Sequence, residues 1–333
     1  MTANDDGTAG RPPNRIAAVP CQDAGLLALL DVGTGERLGT IPVGSHPVHA
    51  TSAAGTTFVA TMGERAVTAV RPDGEVEQVD TGVLGPSHFA SVGGELFVAC
   101  TAGDVVAVID PDGPAVVDRI GVGAEPHELA VDPIRGTLLV GTRRDGTVDV
   151  VSPRERAVIA AIDVGPEARV QGVTVPPDGD RGYAVDQSGA RVVAFDPHAD
   201  RDASPSAVAA VGADPYDLVA TGDRVFVPGR EDGTVHEFDS RLGLEAVHDG
   251  FDRPVDLFRL DGSWWVLDAS DPAIRSLDGR TVDAGGPGLS ATPVDGRLLV
   301  SQYDDDRVSL VDLETGPVWT QAVPARPFGA VVA

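Results

Sequence analysis

Five side chains that can bind a metal ion or transfer a proton occupy one position of a repeated sequence phrase. Each of the eight copies of the phrase is centred on an anchor residue, usually a proline. In five copies the position two residues after the anchor holds a titratable side chain, namely His49, His88, Glu128, Asp217 or Asp256. Imidazole nitrogens and carboxylate oxygens are common protein ligands of divalent ions. If the copies surround one axis, these side chains converge and form a site for a divalent metal ion.

Such a metal site would have a definite chemistry. An ion held by two imidazoles and a carboxylate keeps open coordination positions, at which it polarises a carbonyl group or lowers the pKa of a bound water. A lactone or an ester suits this chemistry, and the protein would then be a divalent-metal-dependent hydrolase or lyase. The alternative interpretation is structural, because the same side chains can line a water-filled channel or bond to neighbouring backbone amides.

A second group of polar residues is expected on the same face of the molecule. These residues lie elsewhere in the phrase, or in the loop between the second and third strands of a repeat: His46, His127, Arg143, Arg144, Arg169, Tyr216, Arg230, Arg253, Tyr303 and Arg326. We interpret them as ligand-binding residues, since arginines clamp anionic ligands through paired hydrogen bonds. The alternative is that the arginines neutralise nearby acids such as Asp145, Glu231 and Asp232.

The repeat itself predicts the elements that position these side chains. Its anchors lie 33 to 45 residues apart, at Pro47, Pro86, Pro126, Val170, Pro215, Pro254, Pro287 and Pro327. After each anchor come an apolar stretch, a turn rich in Gly, Pro and Asp, and further runs rich in β-branched residues. No segment has a helical period, so each repeat is expected to form four short antiparallel strands, A to D.

Sheets of this kind predict an all-β, eight-bladed β-propeller, because radial packing buries both faces of every sheet and shields its edges. Residues 14–42 supply only strands B to D, and residues 325–332 supply a lone A strand. The two ends are therefore expected to meet in one composite blade. A seven-bladed ring is the alternative, because one copy, at 255–287, is unusually short. Residues 14–333 are predicted to form a single domain, preceded by a disordered acidic tail at residues 1–13.

The charge of the chain limits its partners. The net charge is −26 at pH 7, with 51 acidic residues against 25 arginines and no lysine. Dense carboxylates keep a protein hydrated in molar salt, where the Debye length is about 3 Å. We therefore predict a halophilic, acidic protein, with a GC-rich genome as the alternative reason for the arginine bias. Nucleic acid is not expected as a partner, since its phosphates would meet a negative field.

The sequence also bears on the compartment. No run approaches 18 apolar residues, and the N-terminus lacks the apolar segment of a secretory signal. Cys21 and Cys100 lie far apart in sequence and outside any CxxC motif, so we expect buried, reduced thiols. These features predict a cytoplasmic protein without membrane association.

The repeated motif resembles that of the YVTN-repeat, or YncE-like, β-propellers. The matching phrase is V-G-x-x-P-x-x-[apolar]-A, followed by D-G-x-[apolar]-[apolar]-V and V-x-V-[apolar]-D, and it is clearest at residues 122–150 and 291–313. The resemblance implies a propeller within the wider lactonase-like group, but no motif allows a catalytic residue to be carried over. We therefore expect a module that binds a small ligand or a protein through the loop face around its central channel. The metal-dependent hydrolase or lyase is the alternative, with a divalent ion as the cofactor.

Overall fold

Antiparallel strands make up nearly all of the regular structure of this chain. The computed structural model describes residues 15–332, so the predicted tail at residues 1–13 lies outside the described residues. The described part contains one 3-10 helix, Tyr303–Asp305. It holds no helix long and apolar enough to cross a membrane.

The strands follow the predicted four-strand repeat. Blade 1 begins with β1 (Ile16–Cys21), β2 (Leu26–Asp31) and β3 (Arg37–Pro42). Blades 2 to 4 contain β4 (Pro47–Ala53), β5 (Thr56–Thr61), β6 (Ala66–Val70) and β7 (Val76–Asp80); β8 (Pro86–Val92), β9 (Glu95–Cys100), β10 (Val105–Asp110) and β11 (Ala115–Gly121); β12 (Pro126–Val131), β13 (Leu138–Thr142), β14 (Thr147–Ser152) and β15 (Ala157–Asp163).

The second half of the chain repeats this order. Blades 5 to 8 contain β16 (Val170–Thr174), β17 (Gly182–Asp186), β18 (Arg191–Phe195) and β19 (Ala207–Ala210); β20 (Val219–Ala220), β21 (Arg224–Gly229), β22 (Thr234–Asp239) and β23 (Leu244–His248); β24 (Pro254–Leu260), β25 (Ser263–Asp268), β26 (Ala273–Ser276) and β27 (Thr281–Asp283); β28 (Ser290–Val294), β29 (Arg297–Gln302), β30 (Arg307–Asp312) and β31 (Gly316–Ala322). The last strand is β32 (Val331–Val332).

The strands form eight four-stranded sheets, and the ring closes as the sequence predicts. Strand β32 pairs antiparallel with β1, so blade 1 has the order β3-β2-β1-β32. A further bridge joins Cys21 to Pro327. The eight-bladed β-propeller is thus confirmed and the seven-bladed alternative is wrong, because the short copy forms a complete blade from β24 to β27.

The core lies between the blades. Each of the eight hydrophobic clusters found in residues 15–332 joins side chains of two neighbouring blades. One cluster packs Leu30 of blade 1 against Leu299 of blade 8, and another packs Leu27 against Val59 of blade 2. Every sheet therefore has two apolar faces, and its neighbours keep both from water.

The two cysteines belong to this core. Both Cys21 and Cys100 are free and buried, as expected. Burial in apolar surroundings raises the pKa of Cys21 to about 12 and that of Cys100 to about 11. Neither thiol is therefore ionised near neutral pH, and neither has the thiolate character of a reactive cysteine.

Candidate functional site

The innermost strands of the blades have an irregularity just after the anchor residue. In blade 4, Pro126 is opposite Thr142 and Leu129 is opposite Val140, so two residues of β12 face one residue of β13. Blades 2, 3 and 5 show the same register shift after Pro47, Pro86 and Val170, and blade 7 shows a related one after Pro254. A β-bulge of this kind breaks the alternation of side chains and changes their directions.

These bulges line a cavity of about 470 Å³ at the mouth of the central channel. The residues one position after the anchor that line it are Val48, Ser87, His127, Tyr216, Val255 and Phe328, and those two positions after it are His49, His88, Glu128, Asp217, Asp256 and Leu289. Ser290 adds to this wall, and five loops between strands B and C contribute Gln22, Met62, Arg143, Arg230 and Tyr303. The innermost strands and the B–C loops thus enclose one space.

The structure therefore brings many of the predicted site residues together. All five residues predicted as metal ligands line the cavity. Of the predicted ligand-binding residues, His127, Arg143, Tyr216, Arg230 and Tyr303 also line it. The other five are absent from this lining: His46, Arg144, Arg169, Arg253 and Arg326.

Four of these five residues belong to the loops that lead into the innermost strands. His46 and Arg326 each directly precede an anchor proline and have positive φ values of 52° and 58°, and Glu125 and Asp214 have the same conformation at the equivalent position. This conformation belongs to the tight loop that enters the innermost strand. In Arg169 and Arg253 the backbone N–H groups donate hydrogen bonds to Asp186 and Asp268, respectively, so these residues have a role in ordering their loops.

A row of aromatic rings crosses one wall of the cavity. The ring of His88 lies between those of His49 and His127, with centroid distances of 4.4 and 4.3 Å. His49 also meets Phe328 edge to face at 4.9 Å, and His127 meets Tyr216 at 6.1 Å. Three imidazoles from three consecutive blades are therefore in mutual contact.

Gln171 orients one of these imidazoles, although the sequence analysis did not select it. Its backbone carbonyl lies 2.9 Å from Nδ1 of His127, and its side-chain amide nitrogen lies 3.1 Å from Nε2. The carbonyl can only accept, so Nδ1 of His127 carries the proton, and the lone pair of Nε2 accepts the side-chain amide N–H of Gln171. A metal ion bound at Nε2 would take the place of that amide. Gln171 stands one position after its anchor, as His127 does, and that slot is the sequence signal that would have identified it.

Three of the cavity residues are close enough to share one metal ion. His88, His127 and Glu128 each offer a ligand atom, and these atoms lie within 4.8 Å of one another. Nε2 of His88 is 3.4 Å from Oε2 of Glu128. Nδ1 of His88 is buried without a hydrogen-bond partner. The group found in the described residues thus contains His127 where the sequence analysis placed His49.

The three histidines are neutral at physiological pH. Burial lowers the pKa of His49 to about 4. Burial also lowers the pKa of His127 to about 4, although the bond to Gln171 opposes the shift. The pKa of His88 is held well below its usual range by burial and by the imidazoles on either side. Neutral imidazole is the form that binds metal ions.

The pKa values of the three carboxyl groups that line the cavity are raised, whereas those of the histidines are lowered. Burial, together with the charge of Asp217, raises the pKa of Glu128 to about 8. Burial and the same neighbour raise the pKa of Asp256 to about 7, and burial raises the pKa of Asp217 itself. In the absence of a cation, the cavity therefore holds much of its acid in the protonated form near pH 7.

Arg230, which lines the cavity, and Arg144, which does not, find other partners than the predicted ones. Arg230 binds Asp214 at 2.8 and 2.9 Å and lies over the ring of Tyr216 at 4.2 Å. Arg144 pairs with Glu125 at 2.5 Å. The expected partners Asp145 and Asp232 instead accept hydrogen bonds from the backbone N–H groups of Ala124 and Ala213.

Comparison with known proteins supports the architecture. No family model matches the chain, and no curated protein matches it. Among solved structures, dihydro-heme d1 dehydrogenase NirN in complex with DHE is similar with a TM-score of 0.78 and 13% identity, over 97% of this chain and 76% of that one. Apo AztD from Citrobacter koseri has a TM-score of 0.65 and 14% identity, over 96% and 98% of the two chains.

A lactonase-like structure is also similar. A putative 6-phosphogluconolactonase from Bacteroides fragilis NCTC 9343 has a TM-score of 0.61 and 14% identity, over 97% of this chain and 99% of that one. At these identities the likeness shows the fold alone, which is that of a β-propeller.

Proposed function

We propose that this chain is a YncE-like propeller that binds a small ligand in the cavity at the mouth of its central channel. The observation that carries the proposal is the cavity itself, whose volume of about 470 Å³ lies in the range of small-molecule sites. Binding of a protein partner by the same loop face stays a prediction from the sequence.

The lining of the cavity also supports a small ligand. Five apolar side chains share the lining with polar and charged groups that come from several blades: Val48, Met62, Val255, Leu289 and Phe328. Polar groups that converge on one concave space from different elements can orient a small molecule, and the apolar side chains can bury part of its surface. Among the similar structures, NirN was solved in complex with DHE.

A ligand screen with a cavity-filling variant tests this proposal. Ser290 lines the cavity, and Ser290→Phe places a phenyl ring in it. Ser91, which is exposed on β8, provides the matched control Ser91→Phe. We expect compounds from a panel of organic acids, lactones and sugar derivatives to raise the Tm of the wild type and of Ser91→Phe. The same compounds should have no effect on Ser290→Phe, and an equal shift in all three proteins would contradict the proposal.

The second candidate function is a divalent-metal-dependent hydrolase or lyase, and the cluster of His88, His127 and Glu128 favours it. Ligand atoms that bind one ion at about 2.0–2.2 Å lie roughly 3–4.4 Å apart. The atoms of this cluster lie within 4.8 Å of one another, and Nε2 of His88 is 3.4 Å from Oε2 of Glu128. The carbonyl of Gln171 fixes the protonated nitrogen of His127, as outer partners of metal ligands commonly do. Asp217 and Asp256 lie in the same cavity and would add negative charge.

These residues fit a divalent ion chemically, since neutral imidazoles and an ionisable carboxyl group are its preferred donors. A bound ion would supply Lewis-acid polarisation of a carbonyl or phosphoryl oxygen. The chain's own contribution would be to hold His88 and His127 in neutral form and to give up the proton of Glu128.

Metal titration tests this second candidate. We expect the wild type to bind one Zn²⁺ or Mn²⁺ per chain by calorimetry, and His88→Ala and His127→Ala to weaken binding about tenfold or more. His46→Ala, outside the cavity lining, should bind the ion as the wild type does. Hydrolysis of an aryl ester or a γ-lactone that depends on the ion would then show catalysis. Absence of binding to the wild type, or unchanged binding by both variants, would exclude the site.

A further inference from the structure

We infer that the ligand of the channel-mouth cavity carries an oxyanion, a carboxylate or phosphate group, and that Arg143 is the residue that pairs with it. The inference rests on the proposed ligand-binding function and names the chemical class of the ligand.

Arg143 has the position and the unused donors that such a contact needs. It follows directly after β13, in the B–C loop of blade 4, and lines the cavity. Its Nε atom is buried and has no hydrogen-bond partner. Within residues 15–332, no carboxylate lies within 4.0 Å of its guanidinium group. A buried donor without a partner is costly, so the fold keeps this guanidinium group at the cavity without an acceptor of its own for Nε.

The acids around Arg143 are already engaged. Glu125 pairs with Arg144, the next residue in the loop. Asp145 accepts the N–H of Ala124 at 2.7 Å and is thereby held against the backbone. The alternative that this loop neutralises its own arginines therefore holds for Arg144 and does not hold for Arg143.

Arg230, in the same cavity, differs from Arg143 because its charge is neutralised by a carboxylate. Two of its nitrogen atoms contact Asp214, and its planar group stacks on Tyr216. Acids outnumber bases 51 to 25 in this chain, so an uncompensated guanidinium on a cavity wall stands out. Guanidinium groups bind carboxylate and phosphate through two parallel hydrogen bonds.

Another part of the cavity wall indicates what else the ligand contains. Met62, Leu289 and Phe328 are apolar, and they come from blades 2, 8 and 1. A ligand that spans the cavity from Arg143 to these side chains has an anionic end and an apolar body.

Calorimetry with matched probes tests the inference. The probes are benzoate and phenyl phosphate, which are anionic, and benzamide, which has nearly the shape of benzoate without its charge. They are titrated into the wild type, Arg143→Gln and Arg144→Gln at pH 6, in a buffer without multivalent anions. We expect at least one anion to bind the wild type and Arg144→Gln alike. Arg143→Gln should bind it about tenfold more weakly or worse, and benzamide should bind the wild type correspondingly weakly.

The outcomes separate this inference from the proposed function. Binding of only one anion identifies the oxyanion as carboxylate or phosphate. Equal binding of benzamide and benzoate, or unchanged binding by Arg143→Gln, overturns the oxyanion assignment while leaving a ligand-binding cavity. If neither anion binds the wild type, the inference fails, and the Ser290→Phe screen then decides the proposed function on its own.

Discussion

At the scale of single residues, the cavity holds its histidine and carboxylic acid side chains in their uncharged forms. Three imidazoles have lost their protons and the carboxyl groups of Glu128 and Asp256 have kept theirs, because burial penalises the charged form of both kinds of group. A cation that entered the cavity would displace the proton of Glu128. Binding of a divalent ion by this site should thus release protons and strengthen as the pH rises through about 8.

The raised pKa of Glu128 predicts a pH-dependent stability. The carboxyl group ionises near its ordinary pKa of 4.5 when the chain is unfolded, and at about 8 when it is folded. Its contribution to the free energy of unfolding is therefore fully present below pH 4.5 and is lost as the pH rises to 8. In Glu128→Gln this loss is absent, so the Tm of the wild type should fall relative to that of the variant between pH 5 and pH 9.

Thermal melts at half-unit pH steps measure this difference. Glu245→Gln, on the exposed outer strand β23, is the matched control and should follow the wild type at every pH. If the curves of the wild type and Glu128→Gln run parallel over this range, the carboxyl group is not held protonated by the fold.

At the scale of single elements, the β-bulge of the innermost strand is the feature that forms the site. In a regular strand His127 and Glu128 would point to opposite faces, as adjacent residues do. The extra residue in β12 allows both to line the cavity and to approach His88. In a regular strand, alternation places only every second side chain on the inner face. The sequence analysis therefore selected metal ligands only at the position two residues after the anchor. It did not select a metal ligand at the position one residue after the anchor, where His127 stands.

The hairpins that join strands A and B also make a prediction. Ala54 and Gly55 form a two-residue turn between the paired residues Ala53 and Thr56, with φ values of 48° and 74°. The equivalent turn of blade 7 uses Asp261 and Gly262, with φ values of 50° and 81°. Positive φ costs an alanine about 1–2 kcal/mol, and Asn or Asp tolerates it better. Ala54→Asn should therefore raise the free energy of unfolding by about 0.5–1 kcal/mol.

The reverse change is the control for this turn. Asp261→Ala places alanine at a positive φ and should lower stability by a similar amount in chemical denaturation. A stabilising effect of Asp261→Ala, or no effect of Ala54→Asn, would show that φ strain does not limit these hairpins.

At the scale of the whole molecule, the ring depends on a contact between its two ends. Strand β32 completes blade 1, and Val331 and Val332 contribute to the packing on its two sides, toward blades 2 and 8. Since each blade is buried by its neighbours, an incomplete blade 1 exposes the faces of blades 2 and 8 as well.

Removal of residues 327–333 should therefore destabilise the entire propeller. The loss of a few half-buried apolar side chains at about 1–1.5 kcal/mol each amounts to several kcal/mol, and the Tm should fall in a single transition. Removal of residues 1–13, the predicted tail, is the comparison and should leave the Tm unchanged. A C-terminal truncation that melts with the full-length chain would mean that the closure contributes little.

The net charge of −26 makes a second prediction at this scale. Carboxylates spread over the surface repel one another in dilute buffer, and molar salt screens that repulsion because the Debye length shrinks to about 3 Å. The Tm should rise steadily from dilute buffer to molar KCl. A Tm that does not depend on salt would contradict both the repulsion and the halophilic adaptation inferred from it.

The sequence by itself predicted the architecture, since the anchors favour eight sheets over seven. The three strands at one end of the chain and the lone strand at the other imply their union in one blade. It also placed His49, His88, Glu128, Asp217 and Asp256 around one channel, because equivalent positions of a repeat become equivalent positions of a ring. Only the tertiary structure decided which of these side chains meet.

The bulge of β12 turned both His127 and Glu128 into the cavity, and the carbonyl of Gln171, one blade away, set the protonation of His127. Asp214 forms an ion pair with Arg230, whereas Arg143 has no carboxylate partner within residues 15–332. These outcomes depend on side-chain directions and on contacts between loops of different blades. Periodicity along the chain carries no information about either, because it records which positions are equivalent and not how far apart their atoms lie.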